Sequence, residues 1–171
     1  MNYSSSIDLD QPQRIDALAF RATLGLYASS VVVITGRDKE GPIGFTCQTF
    51  YSASLEPPLV AFSVMNTSTS YPRIRATKRF AVNLLSVRQE NISSQFARRG
   101  TDKWAGVSWR KSALGNPIID DTLMWVDCEI QSSHQTGDHE TVVGRVIDLS
   151  PTDWNSGTPL IFFSGAYRHL R

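Results

Sequence analysis

The chain has 171 residues, 17 Lys and Arg against 16 Asp and Glu, 41% hydrophobic and 10% aromatic residues, and two cysteines. That length suits one ordinary domain, whose core needs no disulfide or metal staple and which has no room for two full nucleotide-binding domains. A formal charge of +1 lacks the concentrated basic excess of a nucleic-acid binder.

Residues 1–13 are polar and lack the apolar stretch of a signal peptide. No apolar run reaches the ~18–20 residues of a membrane helix, so a cytoplasmic protein without a membrane partner is expected. Cys47 and Cys128 lie far apart, each in an apolar-flanked run. Two free buried thiols are expected there, not a disulfide framework.

In chain order, residues 1–12 read as a flexible arm and 13–171 as one domain. Ile15, Leu18, Ala19, Ala22 and Leu26 recur at helical spacing. Residues 31–35 are β-branched throughout and predict a strand. A charged turn over 37–42 leads to a second strand from Ile43 to Tyr51, making a hairpin. Pro57 and Pro58 force a turn before a buried strand over 59–64. Asn66 to Ser70 is a hydroxyl-dense loop, followed by a short helix over 71–77 and a strand over 80–85. Ser86 and Gln89 have capping-box spacing and open a helix to about Ala97. Residues 99–120 read as irregular.

Along 123–131, Met124, Val126, Cys128 and Ile130 alternate with Trp125, Asp127, Glu129 and Gln131, predicting one buried and one wetter face. A turn over 135–138 returns the chain as a strand from His139 to Leu149, and residues 159–164 make the last strand. Strands outnumber helices and do not alternate with them, so the expected fold is mainly β, an antiparallel barrel with peripheral helices.

The three histidines lack metal-ligand spacing, so no metal site is expected. P-loop, G-x-G-x-x-G and G-x-S-x-G motifs are absent from the sequence. Three segments carry positive signals. Gly44 to Phe50 alternates small polar and apolar residues. Thr46 and Gln48 could hydrogen-bond a heteroaromatic edge, with Gly44 permitting close approach, although a solvated edge strand reads the same way. Asn66 to Ser70 precedes a helix start and suits a phosphate, yet such residues also serve as ordinary caps. Gly137-Asp138-His139 places an imidazole at a hairpin lip. Arg98, Arg99 and Lys103 could touch a phosphate, but read better as a solvated basic cluster.

In order, G-F-T-C-Q-T-F (44–50), S-L-E-P-P-L-V (54–60), N-x-S-T (66–69), R-F-A-V-N-L-L (79–85), S-x-Q-F-A (93–97) and G-D-H (137–139) resemble the flavin reductase-like split-barrel family. The likeness spans about residues 16–170. It is nearest the reductase components of two-component aromatic-ring monooxygenases. Cys47-Gln48 stands where Ala-Asn is frequent in that family, and Trp104 where Phe is usual.

The resemblance implies an antiparallel, Greek-key-like split barrel, a homodimer with FMN or FAD near its interface, and an enzyme that reduces flavin with NADH or NADPH, NADH preferred. It also implies a separate oxygenase that receives the reduced flavin. By matching position, Thr46, Cys47, Gln48 and Thr49 contact the flavin, and Ser52, Ser54 and Leu55 line its groove. Ser68 and Thr69 match phosphate-binding positions, and Phe96 packs beside the flavin. Asp138 and His139 match the nicotinamide-nucleotide element, with His139 positioning NADH, and Tyr167 lies near the same cleft. No general acid or base is assigned, because hydride transfer is the cofactor's own chemistry. A flavin-holding barrel without turnover, a pyridoxamine-phosphate-oxidase-like oxidase and a cofactor-free dimerisation module are the alternatives.

Overall fold

The computed structural model describes residues 15–170; the arm expected over 1–12 lies outside them. The elements are α1 Ala17–Leu24, β1 Ser29–Ser30, β2 Val32–Asp38, β3 Gly41–Cys47, β4 Tyr51–Ser54, β5 Leu59–Met65, α2 Tyr71–Thr77 and β6 Arg79–Leu84. There follow α3 Glu90–Ala97, β7 Trp109–Lys111, β8 Pro117–Ile119, β9 Met124–Thr136, β10 His139–Leu149, β11 Ile161–Phe163 and β12 Ala166–Arg168. Ser86 and Gln89 form the expected capping box, which starts a short 3-10 turn over Val87–Gln89 leading into α3.

Seven strands form one antiparallel sheet in the order β3-β2-β6-β9-β10-β5-β4. The sheet curls until its two ends meet. Thr49, just past β3, receives the Ser63 N–H at 2.8 Å and donates to the Ser63 carbonyl at 3.0 Å on β5. Inside lie Val32, Ile34, Ile43, Phe62, Val64, Phe80, Val82 and Val142, all buried. Phe62 meets Phe80 edge-on at 5.2 Å and Tyr71 at 6.2 Å. Gly144 of β10 is the thin point that admits the Phe80 ring, since a Cβ there would lie 2.3 Å from it.

Four sequence expectations change. The strand expected over Ile43–Tyr51 stops at Cys47, and Tyr51–Ser54 is a separate strand paired with β5. Residues 99–120 are not wholly irregular, because β7 and β8 form a small hairpin. The last segment is also a hairpin, β11–β12.

The fourth correction concerns β9, where the face expected to be wetter holds Trp125, 6% exposed, and Asp127, wholly buried. The β7–β8 hairpin covers that face. Asn116 donates to the Asp127 side chain at 2.7 Å and the Leu114 N–H donates at 3.1 Å, so both buried oxygens have partners. Thr35 donates to the Pro117 carbonyl at 2.6 Å, and Asn83 accepts from the Ile119 N–H at 2.8 Å. Those two buried side chains dock β8 on β2 and β6. Arg110 lies over the Trp125 and Trp154 rings at 5.1 and 4.7 Å. Cys47 and Cys128 are free, buried thiols, as expected.

Helix α1 forms where the periodicity places it, capped by Asp16, whose side chain accepts from the Ala19 N–H at 2.8 Å. None of its residues is buried. Ile15, Leu18, Phe20, Leu24, Leu26 and Tyr27 are all more than half exposed.

Candidate functional site

The corner between β3 and β4 holds the first group of expected site residues. On β3, Gly44 and Thr46 face α3, while Ile43 and Cys47 face the barrel core. Thr46 donates its hydroxyl proton to the Ser93 carbonyl of α3 at 2.6 Å. The Cys47 thiol sits 3.3 Å from the Thr49 hydroxyl and 3.7 Å from the Ser63 carbonyl, and burial pushes its pKa up. It is therefore a packed thiol and not a reactive one. The Thr49 hydroxyl is spent on joining the barrel ends. Gln48 and Ser52 are exposed, Ser54 is half-buried, and Leu55 is 88% exposed.

A second group forms the far end of the same open sheet face. The Asn66 N–H donates to the Asp138 carbonyl at 3.0 Å, and its amide reaches the Gly137 carbonyl at 3.5 Å. The N-x-S-T loop and the G-D-H turn are thus one unit. His139 pairs with Met65 of β5 and Thr136 of β9. Its Nδ1 lies 2.6 Å from the Asp138 carboxylate, whose pKa that hydrogen bond lowers. A carboxylate only accepts, so Nδ1 is the donor in this contact, which leaves Nε2 as the acceptor in the Nδ1–H tautomer. From His139 a run of hydroxyls crosses the sheet toward Thr49: Thr136 and Thr141 at 2.9 Å, then Thr141 and Ser63 at 3.3 Å.

Within the loop, Ser68 accepts from the Tyr71 N–H at 3.1 Å and so caps α2. Thr69 is exposed, and Thr67 accepts from the Arg99 guanidinium at 3.0 Å. A hollow of about 140 Å3 beside Ser68 is lined by Asn66, Tyr71, Arg75 and Glu140. None of the expected site residues lines the larger crevice, about 740 Å3, between the start of α3 and the loop over 155–158.

Two expected residues stand elsewhere. Phe96 is fully buried behind β3. A Cβ on Gly44 would lie 2.5 Å from its ring, so this glycine admits Phe96 and not a ligand. Phe96 supports β3 from the rear and packs edge-on against Trp104 at 4.9 Å. Tyr167 on β12 hydrogen-bonds the Ser93 hydroxyl at 2.7 Å. It therefore sits on the α3 side of Thr46, and no hydrogen bond among the described residues joins it to the G-D-H turn. Ser93, which links Tyr167 to Thr46, was missed from the sequence. Its signal was a polar residue on the helix stripe shared with Gln89 and Phe96, all three buried. No cluster of three metal-ligating side chains exists among the described residues. None of their helices is long and apolar enough to cross a membrane.

The family model described as "Flavin reductase like domain" matches residues 24–171. The chain is 42% identical to the flavin-dependent monooxygenase reductase subunit HsaB of Mycobacterium tuberculosis, over 90% of this chain and 82% of that one. It is 36% identical to the FMN reductase (NADH) SmoA of Agrobacterium fabrum, over 87% and 83% of the two chains. The crystal structure of nitrilotriacetate monooxygenase component B from Mycobacterium thermoresistibile superposes with a TM-score of 0.87 at 41% identity, covering 90% of this chain and 86% of that one. With the split-barrel fold already in place, these likenesses establish that the chain belongs to the flavin reductase-like family and is a flavin reductase.

Proposed function

We propose that the open face running from the β3–β4 corner to the G-D-H turn binds flavin and nicotinamide nucleotide together, so that NADH reduces FMN or FAD and the reduced flavin leaves for a separate oxygenase. The observation that carries this reading is the Asn66–Asp138 hydrogen bond, which joins the hydroxyl loop to the imidazole element on one surface. The polar groups present fit a polar heteroaromatic ligand: exposed hydroxyls, the Gln48 amide and the His139 imidazole.

When bound together, flavin and nicotinamide supply the hydride chemistry themselves. This chain's residues hold the two rings in register, which is where the rate advantage of a templated reaction arises. His139, oriented by Asp138, offers Nε2 as an acceptor suited to a carboxamide N–H. Residues Gln48, Ser52 and Leu55 form the exposed margin of the groove beside half-buried Ser54, with buried Cys47 beneath.

The working unit is a homodimer. An isolated helix shorter than ~12–15 residues is marginal in water, yet the eight-residue α1 exposes its whole apolar stripe. A second copy supplies the missing cover. HsaB is named a reductase subunit of a flavin-dependent monooxygenase, which supports an oxygenase as the recipient of reduced flavin.

Mixing the protein with NADH and either FMN or FAD tests the reading directly. Flavin-dependent loss of the NADH absorbance is expected. Bound flavin without NADH consumption would instead favour a flavin-holding barrel.

A further inference from the structure

The crevice of about 740 Å3 between the start of α3 and the loop over 155–158 shares no residue with the flavin groove. Ser93 and Phe96 turn one face of α3 toward Thr46 and Gly44 of β3. Arg88, Asn91 and Gln95 line the crevice on another. Across from them stand Asp120 and Asp121, in the turn between β8 and β9. Side-chain amides tie these walls together. Gln89 donates to the Asp120 carbonyl at 2.8 Å and accepts from the Ser86 N–H at 3.0 Å. Gln95 donates to the carbonyls of Lys103 and Ala105 at 3.0 and 2.9 Å. Asn155 donates to the Asp121 carbonyl at 3.1 Å, and the Val87 N–H donates to the Thr158 carbonyl at 2.9 Å. The hollow is therefore fixed before anything enters it, which lowers the ordering cost of binding. Its volume falls within the roughly 300–1,000 Å3 of small-molecule sites.

The lining decides what kind of ligand fits. None of its residues is aromatic, so a flavin, nicotinamide or adenine ring finds no face to stack on. Ile92, Val107 and Ile119 supply a short apolar surface. Charge of both signs surrounds it. Arg88 and Asp121 are exposed and Asp120 is half-buried. Among the described residues none of the three forms an ion pair, with each other or with anything else. Opposite charges thus border one opening, too far apart to quench each other. A simple anion would meet two carboxylates there, and a simple cation would leave the guanidinium uncompensated. A ligand carrying both charges is matched on both walls.

We propose that this crevice is a second binding site, for a small linear zwitterion, with Arg88 receiving the carboxylate and the Asp120–Asp121 turn receiving the ammonium group. The methylenes between the two charges lie over Ile92, Val107 and Ile119. A guanidinium suits the carboxylate end, because its planar fork gives two parallel charge-assisted hydrogen bonds. The site needs neither flavin nor NADH to form, since every bond that holds its walls lies within the chain.

Isothermal titration of the full chain with 4-aminobutyrate and 6-aminohexanoate tests the site, with hexanoate and hexylamine as single-charge controls. The charges face solvent, so the better zwitterion should bind with a Kd of about 1 mM. It should bind about tenfold more tightly than either control. Arg88→Gln should lower that affinity to the level of hexylamine, and the pair Asp120→Asn with Asp121→Asn to the level of hexanoate. Arg88→Glu should reverse the preference, so that 1,6-diaminohexane binds more tightly than 6-aminohexanoate. A misfolded variant could not gain a ligand in this way. No saturable heat from either zwitterion up to about 20 mM would overturn the site. Controls that bind as tightly as the zwitterions would do the same, as would affinities left unchanged by Arg88→Gln and by the double Asn variant.

Discussion

Thr49 stands in for a missing strand residue by offering its one side-chain oxygen to both backbone groups of Ser63, at 2.8 Å from the N–H and 3.0 Å from the carbonyl. The two ends of the curled sheet meet through a side chain and not through a continuous ladder. The closure lies at the mouth of the candidate flavin groove, so one residue serves both stability and the shape of the site.

Replacing Thr49 by Val should remove both bonds with little change in shape. The expected loss is about 2–3 kcal/mol, with a raised KM for flavin, while Thr49→Ser should keep most of the stability. Thermal melts and flavin titrations of the two variants measure this. Equal melting temperatures for wild type and the Val variant would show that the strands close without the hydroxyl.

Gly44→Ala should destabilise the fold by about 1–3 kcal/mol, because the new methyl enters the space of the Phe96 ring. Adding Phe96→Leu should recover part of that loss, since the smaller side chain yields. A double-mutant cycle in urea reads the coupling. Additive costs would mean that the two positions do not meet.

His139→Ala should raise the KM for NADH more than that for flavin, if the ring meets the nicotinamide nucleotide as proposed. Asp138→Asn should give a weaker version of the same change, as the amide can no longer hold Nδ1 protonated as firmly. Steady-state kinetics with each substrate varied in turn distinguish the two effects. Unchanged constants in His139→Ala would remove the residue from the site.

Leu18→Asp combined with Leu24→Asp should place charges on the exposed stripe of α1. The wild-type chain should sediment with twice the mass of one chain and the double variant as a monomer. A wild-type monomer at micromolar concentration would end the homodimer reading.

Asp38 should give the fold an acid-sensitive margin. Arg73 grips its carboxylate through Nε at 2.8 Å and Nη2 at 2.7 Å, and together with backbone N–H groups lowers its pKa from 3.8 to about 2. A carboxyl whose pKa falls on folding stabilises the native state above its unfolded pKa, and that contribution drains away as the pH drops through the folded value. The melting-temperature gap between wild type and Asp38→Asn should therefore be widest near neutral pH and close toward about pH 2. A gap independent of pH would assign the loss to packing.

Local chemistry made much of this protein legible in its sequence. The β-branched run at 31–35, the Ser86–Gln89 capping box and the apolar stripe of α1 each act over a few residues, and each formed where the spacing put it. The Asn66-to-Ser70 and G-D-H segments were legible as separate candidate elements for the same reason. Tertiary structure alone decided what surrounds them. The alternation of β9 showed two faces, but the β7–β8 hairpin, folded back from the segment just before it, buried Trp125 and Asp127 on the face that looked wet. A glycine in a strand announces a close approach without naming the visitor, and at Gly44 the visitor is Phe96. The length and near-neutral charge bounded the protein to one domain without a broad basic surface. The fold decided which charges meet, as Arg73 meets Asp38 across 35 positions, because charge balance is local in space and not along the chain.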